Sequence, residues 1–321
     1  MKKQLSHKER FVRALKRQPI EGHVPHFELV FFLTAEKIGK LHPAQRIYSQ
    51  WDQMSAEEQV WHIKDVAQTH VQIAEIYQHD AIFIHSPFSK FDATLRLVEE
   101  IKKLGNDQFF LILPSDPTFA VPDGDNMISF SVDMYENGGK LHDSSKKRTE
   151  KCAEQAEQLK REGLGDGFAM CADYCFNTNP FFSPEQFDEF IVPYLKETIT
   201  QFHKLGFYAI KHTDGNIMPI LSQMVDCGPD AIHSLDPQGG VLLSEVKKLY
   251  GDKVALIGNV NCGLLQTGSK ADCEADIRRS LREGMDGWGY IFSTSNCVYT
   301  GLPLERYEMM HQIWREEGIY A

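Results

Sequence analysis

The stretch that decides the fold is FYAIKHTDGNIMPIL, residues 207–221. It opens as an apolar run, turns polar at His212, Asp214 and Asn216, and passes through Gly215 into a second apolar segment. A short apolar run bounded by turn residues reads as a strand buried on both faces, as a parallel sheet requires. The polar residues at its end then lie where a strand meets a loop.

The same unit recurs on both sides. Downstream are the runs 231–235, 253–258 and 289–293; upstream are 167–173, 109–114, 80–85 and 24–32. From residue 167 onward each run is followed by a helical stretch. Helix starts are marked at Ser6 with Glu9, Ser55 with Glu58, Ser183-Pro184 with Gln186, and Ser269 with Asp272. In each, a side-chain oxygen can accept from an amide that the first turn leaves unpaired. Eight apolar strands alternating with helices predict an α/β protein closed into a (β/α)8 TIM barrel, one domain over residues 1–321. A doubly wound open sheet is the alternative, but no glycine-rich turn follows the first run. Residues 117–145, with Gly124, Asn126, Gly138 and Gly139, predict an insertion: an extra strand at 127–132 and a loop over the barrel mouth, or a plain surface loop.

Composition narrows the function. A chain of 321 residues buries enough apolar surface to fold without disulfides. Its seven cysteines lack the paired spacing of a structural zinc site and read as reduced thiols in the cytoplasm. No apolar run is long enough to span a membrane, and the N-terminus has no secretory pattern. The net charge of -11 argues against nucleic acid as a partner. Lys2, Lys3, Lys8, Arg10, Arg13, Lys16 and Arg17 read as a solvated helix face.

The informative pattern is what stands at the strand ends. These are His85, Asp116, Asp173, the group His212, Asp214 and Asn216, then His233 and Asp236, Asn259 and Asn261, and Ser295-Asn296-Cys297. In a closed barrel they converge on one rim, where active sites are built. His212 and Asp214 are two apart, so on an extended strand they point the same way and can share a ligand or metal. Asp214 or Asn216 capping the next helix is the plainer reading. Asp173 reads as a site residue because Ser183 already caps the helix that follows. His233 reads as a buried core histidine, His23 and His26 as weak candidates, and Cys297 as a small buried thiol or a metal ligand.

Five segments in this order carry a family resemblance: HVPHFE (23–28), ADYCFNTNPFFSPEQFDEFIVPYLK (172–196), IKHTDGNIMPIL (210–221), HSLDPQGGVLLSEVKKLYGDKVALIGNVN (233–261) and GWGYIFSTSNCVYTGLPLERYEMM (287–310). Together they resemble the uroporphyrinogen decarboxylase-like superfamily. It includes true decarboxylases and zinc-dependent methyltransferases that work with corrinoid proteins. The decarboxylases carry an arginine-rich signature near the barrel start. This chain has FELVFF at 27–32 and no arginine between Arg17 and Arg46. A tetrapyrrole with many carboxylates needs such forks, so that substrate is not expected.

The resemblance implies more about the rim. The methyltransferases hold zinc with His-x-Cys on one strand and a distant Cys. Here His212 matches the histidine, Asp214 stands where the first cysteine is expected, and Cys297 matches the second. The implied metal site is zinc on His212, Asp214 and Cys297, with a fourth position open. Asp173, His212, Asp214 and His85 are the implied catalytic residues, His85 as a proton shuttle. Asn259, Asn261, Asn216 and His233 are the implied substrate-binding residues. The expected function is metal-assisted methyl transfer involving a corrinoid protein or a small methylated compound. The alternatives are a decarboxylase or lyase acting on a smaller substrate, and a non-catalytic small-molecule binding barrel. The quaternary state is open, with a homodimer among the options.

Overall fold

The apolar runs pair side by side in chain order. A computed structural model describes residues 5–320. Among them β1 (Gly22–His23) pairs antiparallel with β9 (Ile319–Tyr320). The other strands form one parallel sheet in sequence order: β2 (Ala81–Phe83), β3 (Phe110–Pro114), β4 (Gly167–Met170), β5 (Tyr208–Thr213), β6 (Ala231–Ser234), β7 (Ala255–Val260) and β8 (Tyr290–Thr294). Helices follow the strands, and the architecture is a TIM-barrel-like α/β fold.

The expected first strand, 24–32, is the exception. It is not a continuous strand but makes two isolated bridges, His26 with Phe292 of β8 and Phe31 with Val298 beyond the end of β8. Pro25 has no amide to give a ladder. The segment still closes the barrel. Phe292 N donates to Pro25 O at 2.8 Å, Phe27 N to Phe292 O at 3.1 Å, and Asp80 N to His26 O at 2.7 Å. Residues 25–27 thus stand between β8 and the start of β2.

Alternation along each strand separates two layers. Phe83, Phe110, Ile112, Ala169, Ile210, Ala231, Ala255, Ile257 and Ile291 share one buried cluster. They are every second residue on successive strands, so they fill the barrel. Their neighbours Ile82, Leu111, Leu113, Phe168 and Met170 pack outward against helix residues such as Val98, Leu159 and Phe202. On the far side Ile232, Leu256 and Phe292 meet Val246, Ile277 and Trp314.

The helix starts follow the local signals. Ser6, Ser55 and Ser183 each form a capping box with Glu9, Glu58 and Gln186, and Ser269 accepts from Asp272 N. The basic N-terminal face is not simply solvated. Arg10 makes a 2.6 Å ion pair with Asp80, whose carboxylate is fully buried, and Lys8 reaches Asp166 at 2.7 Å. Lys2 and Lys3 lie outside the described residues. The extra strand expected at 127–132 is instead part of a helix, Met127–Glu136. Its apolar residues Met127, Phe130 and Met134 recur at helical spacing, which outweighs the short strand-like alternation. Phe130 packs on Phe119, Phe181 and Phe182 of the loops beside the mouth. No helix among the described residues is long and apolar enough to cross a membrane.

Candidate metal and substrate site at the barrel mouth

The site is built where β4 and β5 end. These strands are direct neighbours, with Met170 opposite Lys211. Lys211 is fully buried, and its ammonium donates to Met170 O at 3.1 Å, Ala172 O at 2.9 Å and Asp116 Oδ2 at 3.0 Å. It also sits 4.1 Å from the centre of the Tyr174 ring. Asp116 Oδ2 accepts from Ala172 N at 2.9 Å, and its Oδ1 accepts from Thr118 N and Oγ1. Burial works against the Asp116 carboxylate, but Lys211 and these hydrogen bonds hold its pKa below the usual range. This ion pair clamps the backbone after β4 and so fixes Asp173.

Directly after Lys211 come His212 on β5 and Asp214 just past its end. Asp173, His212 and Asp214 each offer a donor atom, and the three atoms lie within 4.8 Å of one another. His212 Nε2 is 3.5 Å from Asp173 Oδ1 and 3.8 Å from Asp214 Oδ1. Asp214 is anchored by Ser234, whose hydroxyl donates to Oδ1 at 2.7 Å, and by Asn296 Nδ2 on Oδ2. Asp173 is freer, with its side chain 48% exposed, and Asp214 N donates to it at 3.3 Å. Burial, then the Asp173 charge, pushes the Asp214 carboxyl up to about 7. Burial draws His212 down to about 4, so its ring is neutral. The turn is tight: Gly215 has φ +76°, and a Cβ there would meet Phe176 O at 2.5 Å.

Cys297 does not join this group. It lies outside the three-residue cluster, and Asp173 takes the place expected for it. β4 adjoins β5, which brings Asp173 to His212, and from the end of β8 it is Asn296, the neighbour of Cys297, that reaches Asp214. Burial, followed by the nearby Asp214 charge, holds the Cys297 thiol up to about 11, so it is neutral in the free protein.

Other expected rim residues are occupied by the protein itself. Asn259 is fully buried and points away from the mouth. Its Nδ2 donates to Leu235 O, and its Oδ1 accepts from Arg279 of helix Lys270–Met285. Gly258, with φ +132°, breaks the alternation just before it. Asn261 caps helix Cys262–Thr267 through Leu264 N. Asn216 accepts from Met218 N and donates to Thr178 O. His233 is buried behind His212, their Nδ1 atoms 2.7 Å apart, with no face open to a substrate. His85 belongs to a different neighbourhood. Its ring lies beside Phe83 and His42, and its Nε2 meets Leu29 O at 3.4 Å.

Two groups escaped the sequence reading. Lys211 had a signal: a lysine in the middle of an apolar parallel strand must bury its charge and so needs a carboxylate partner. Glu28 had none. It is buried, with Oε2 accepting from Thr294 Oγ1 at 2.6 Å and Ser293 Oγ at 3.1 Å. Burial pushes its carboxyl from the ordinary 4.5 up to about 8, against the pull of those hydrogen bonds. A raised acid stabilises the fold fully below its unfolded pKa and loses that contribution as pH rises through the folded value. Wild-type stability should therefore decline between pH 4.5 and about 8. Glu28→Gln mimics the protonated acid and should flatten that slope. Parallel melting-temperature profiles for the two proteins would contradict this.

Fold and rim together define a class: parallel α/β barrels with an imidazole and carboxylates gathered at the carboxyl ends of the strands. The model of the uroporphyrinogen decarboxylase (URO-D) family matches residues 124–317, and the chain belongs to that family. No curated protein sequence matches it. Among solved structures, a methyltransferase from Methanosarcina mazei superposes with a TM-score of 0.75 at 17% identity, covering 98% of this chain and 99% of that one. A putative vitamin-B12 independent methionine synthase from Listeria monocytogenes gives 0.52 at 12% identity, covering 91% and 95%. At such identities these are likenesses of fold.

Proposed function

We propose that this URO-D-family chain is a metal-dependent methyl-transfer enzyme whose metal is held by Asp173, His212 and Asp214. The observation that carries the reading is the convergence of three donor atoms within 4.8 Å at the carboxyl rim. The donor set fits a divalent ion. Zinc accepts one imidazole and two carboxylates and leaves a position open for chemistry. His212 also has a second ring nitrogen engaged by His233, the support that metal-bound histidines ordinarily have. Zinc in this place would supply Lewis acidity to a substrate heteroatom.

The chain's own residues do the rest. Ser234 and Asn296 fix the Asp214 carboxylate in place. The Lys211–Asp116 pair fixes the backbone that carries Asp173. The exposed face of Asp173 is the side from which a substrate reaches the cluster. The partner in this reading is a corrinoid protein or a small methylated compound, in keeping with the fold it shares with a methyltransferase.

Protein purified without chelators should carry close to one divalent ion per chain, read by elemental analysis. The loaded protein should then move a methyl group between reduced free cobalamin and a methylated thiol or amine. Metal-free protein that zinc cannot reload would remove the metal. Loaded protein without methyl transfer would remove the activity and keep the site.

A further inference from the structure

β8 ends beside a segment that forms no continuous ladder. In a parallel pair, alternate amides of a strand donate to carbonyls of the same neighbour. Phe292 N does so and meets Pro25 O at 2.8 Å. The next amide on that edge, Thr294 N, meets a side chain instead. It lies 3.2 Å from Glu28 Oε2 and 3.4 Å from Oε1. Main-chain pairing resumes at Val298 N with Val30 O, at 2.9 Å.

The same Glu28 Oε2 also accepts from Thr294 Oγ1 at 2.6 Å and from Ser293 Oγ at 3.1 Å. From the helix Leu304–Glu317, Tyr307 is a further hydrogen-bond partner of the carboxyl. A buried carboxyl is costly without such partners, so these bonds fix where it stands. The acid therefore ties two consecutive residues of β8 to the segment that closes the barrel.

Those residues lead to the proposed metal site. The Thr294 hydroxyl lies 3.2 Å from Asn296 O, so the turn folds back over the acid. Ser295 N donates to Val260 O of β7 at 2.8 Å. Thr294 is thus held on one side by Glu28, and Ser295 on the other by β7. The next residue, Asn296, then presents Nδ2 to Asp214 Oδ2.

We infer that Glu28 is a positioning residue for the metal site: its carboxyl replaces the acceptor that the broken strand does not supply, fixes Thr294, and through Asn296 sets the Asp214 carboxylate. This rests on the metal reading above. Glu28 itself stands outside the donor cluster. Its role needs an acceptor oxygen in that place, not a charge.

The test is zinc affinity of the full chain by calorimetric titration, with a thermal melt of each variant. Asn296→Ala should weaken zinc binding roughly 10–100-fold, as loss of a residue that supports a metal ligand does. Glu28→Leu keeps the bulk, removes the acceptor and should weaken it roughly 10-fold, the lower end of that range. Added to Asn296→Ala it should cost no further affinity, because the path is already cut. Glu28→Gln retains an acceptor oxygen and should bind zinc like wild type. Where Glu28→Leu does not fold, Thr294→Val replaces it. That variant removes only the hydroxyl, and its loss of affinity should likewise vanish on top of Asn296→Ala. A merely structural role would show in the melts and would add to Asn296→Ala in the titrations. Additive losses, a folded Glu28→Leu protein that binds zinc like wild type, or a Glu28→Gln protein as weak as Glu28→Leu overturns this inference alone. Wild-type protein that takes no zinc overturns it together with the metal reading.

Discussion

His212→Ala is expected to abolish stoichiometric divalent metal while leaving the barrel folded. Loss of a direct ligand should exceed the roughly 10–100-fold that removal of a supporting residue costs in metal affinity. The site would keep only two carboxylates, one of them half exposed. Removing the ring leaves His233 Nδ1 without its partner, a local cost of about 1–3 kcal/mol, well short of unfolding a chain of this size. The measurement is metal content per chain beside a circular-dichroism melt. A His212→Ala protein that keeps a full complement of metal would contradict the assignment. Cys297→Ala serves as the contrast and should keep its metal, because Cys297 stands outside the cluster.

The largest stability effect is expected from Lys211→Met. The substitution keeps most of the unbranched side chain and removes its charge. It strands the Asp116 carboxylate, which is only 13% exposed, without the cation that offsets its burial. Breaking one partner of a buried ion pair costs about 3–5 kcal/mol. The carbonyls of Met170 and Ala172 lose their donor as well. The melting temperature should drop by several degrees, and metal affinity should fall with it, since the clamp sets Asp173. Adding Asp116→Leu to Lys211→Met should recover part of the stability by removing the stranded charge, though not the metal affinity. A Lys211→Met protein as stable as wild type would mean that water reaches Asp116.

The difference between these two residues shows where sequence reading reached its limit. His212 and Asp214 are two apart on one strand, so their common direction follows from the strand period alone. Lys211 is next to them, but its value depends on Asp116, which lies 95 residues away. The same distinction explains the asparagines. Asn261 is a cap by local pattern, and its role beside Leu264 N could be read without the fold. Asn259 was placed on the rim by its position at a strand end. Gly258 then turns it outward to Arg279 on a helix 20 residues on.

The sequence by itself determined what is local and periodic. Capping serines mark helix starts because the bonds they form span three residues. Continuous apolar runs between helices mark a parallel sheet, because each such strand must be covered on both faces. The crowding of His, Asp and Asn at run ends marks one rim. The tertiary structure decided which of those residues meet. The order of strands round the barrel puts Asp173 beside His212, and the loop after β8 turns Asn296, not Cys297, to Asp214. Closure by residues 25–27 uses bonds that no strand pattern announces. Burial, not residue type, sets Glu28 as a neutral acid and His233 as a ring hidden behind His212. Burial and long-range pairing are properties of the packed whole, because they depend on which distant segments exclude water from a side chain.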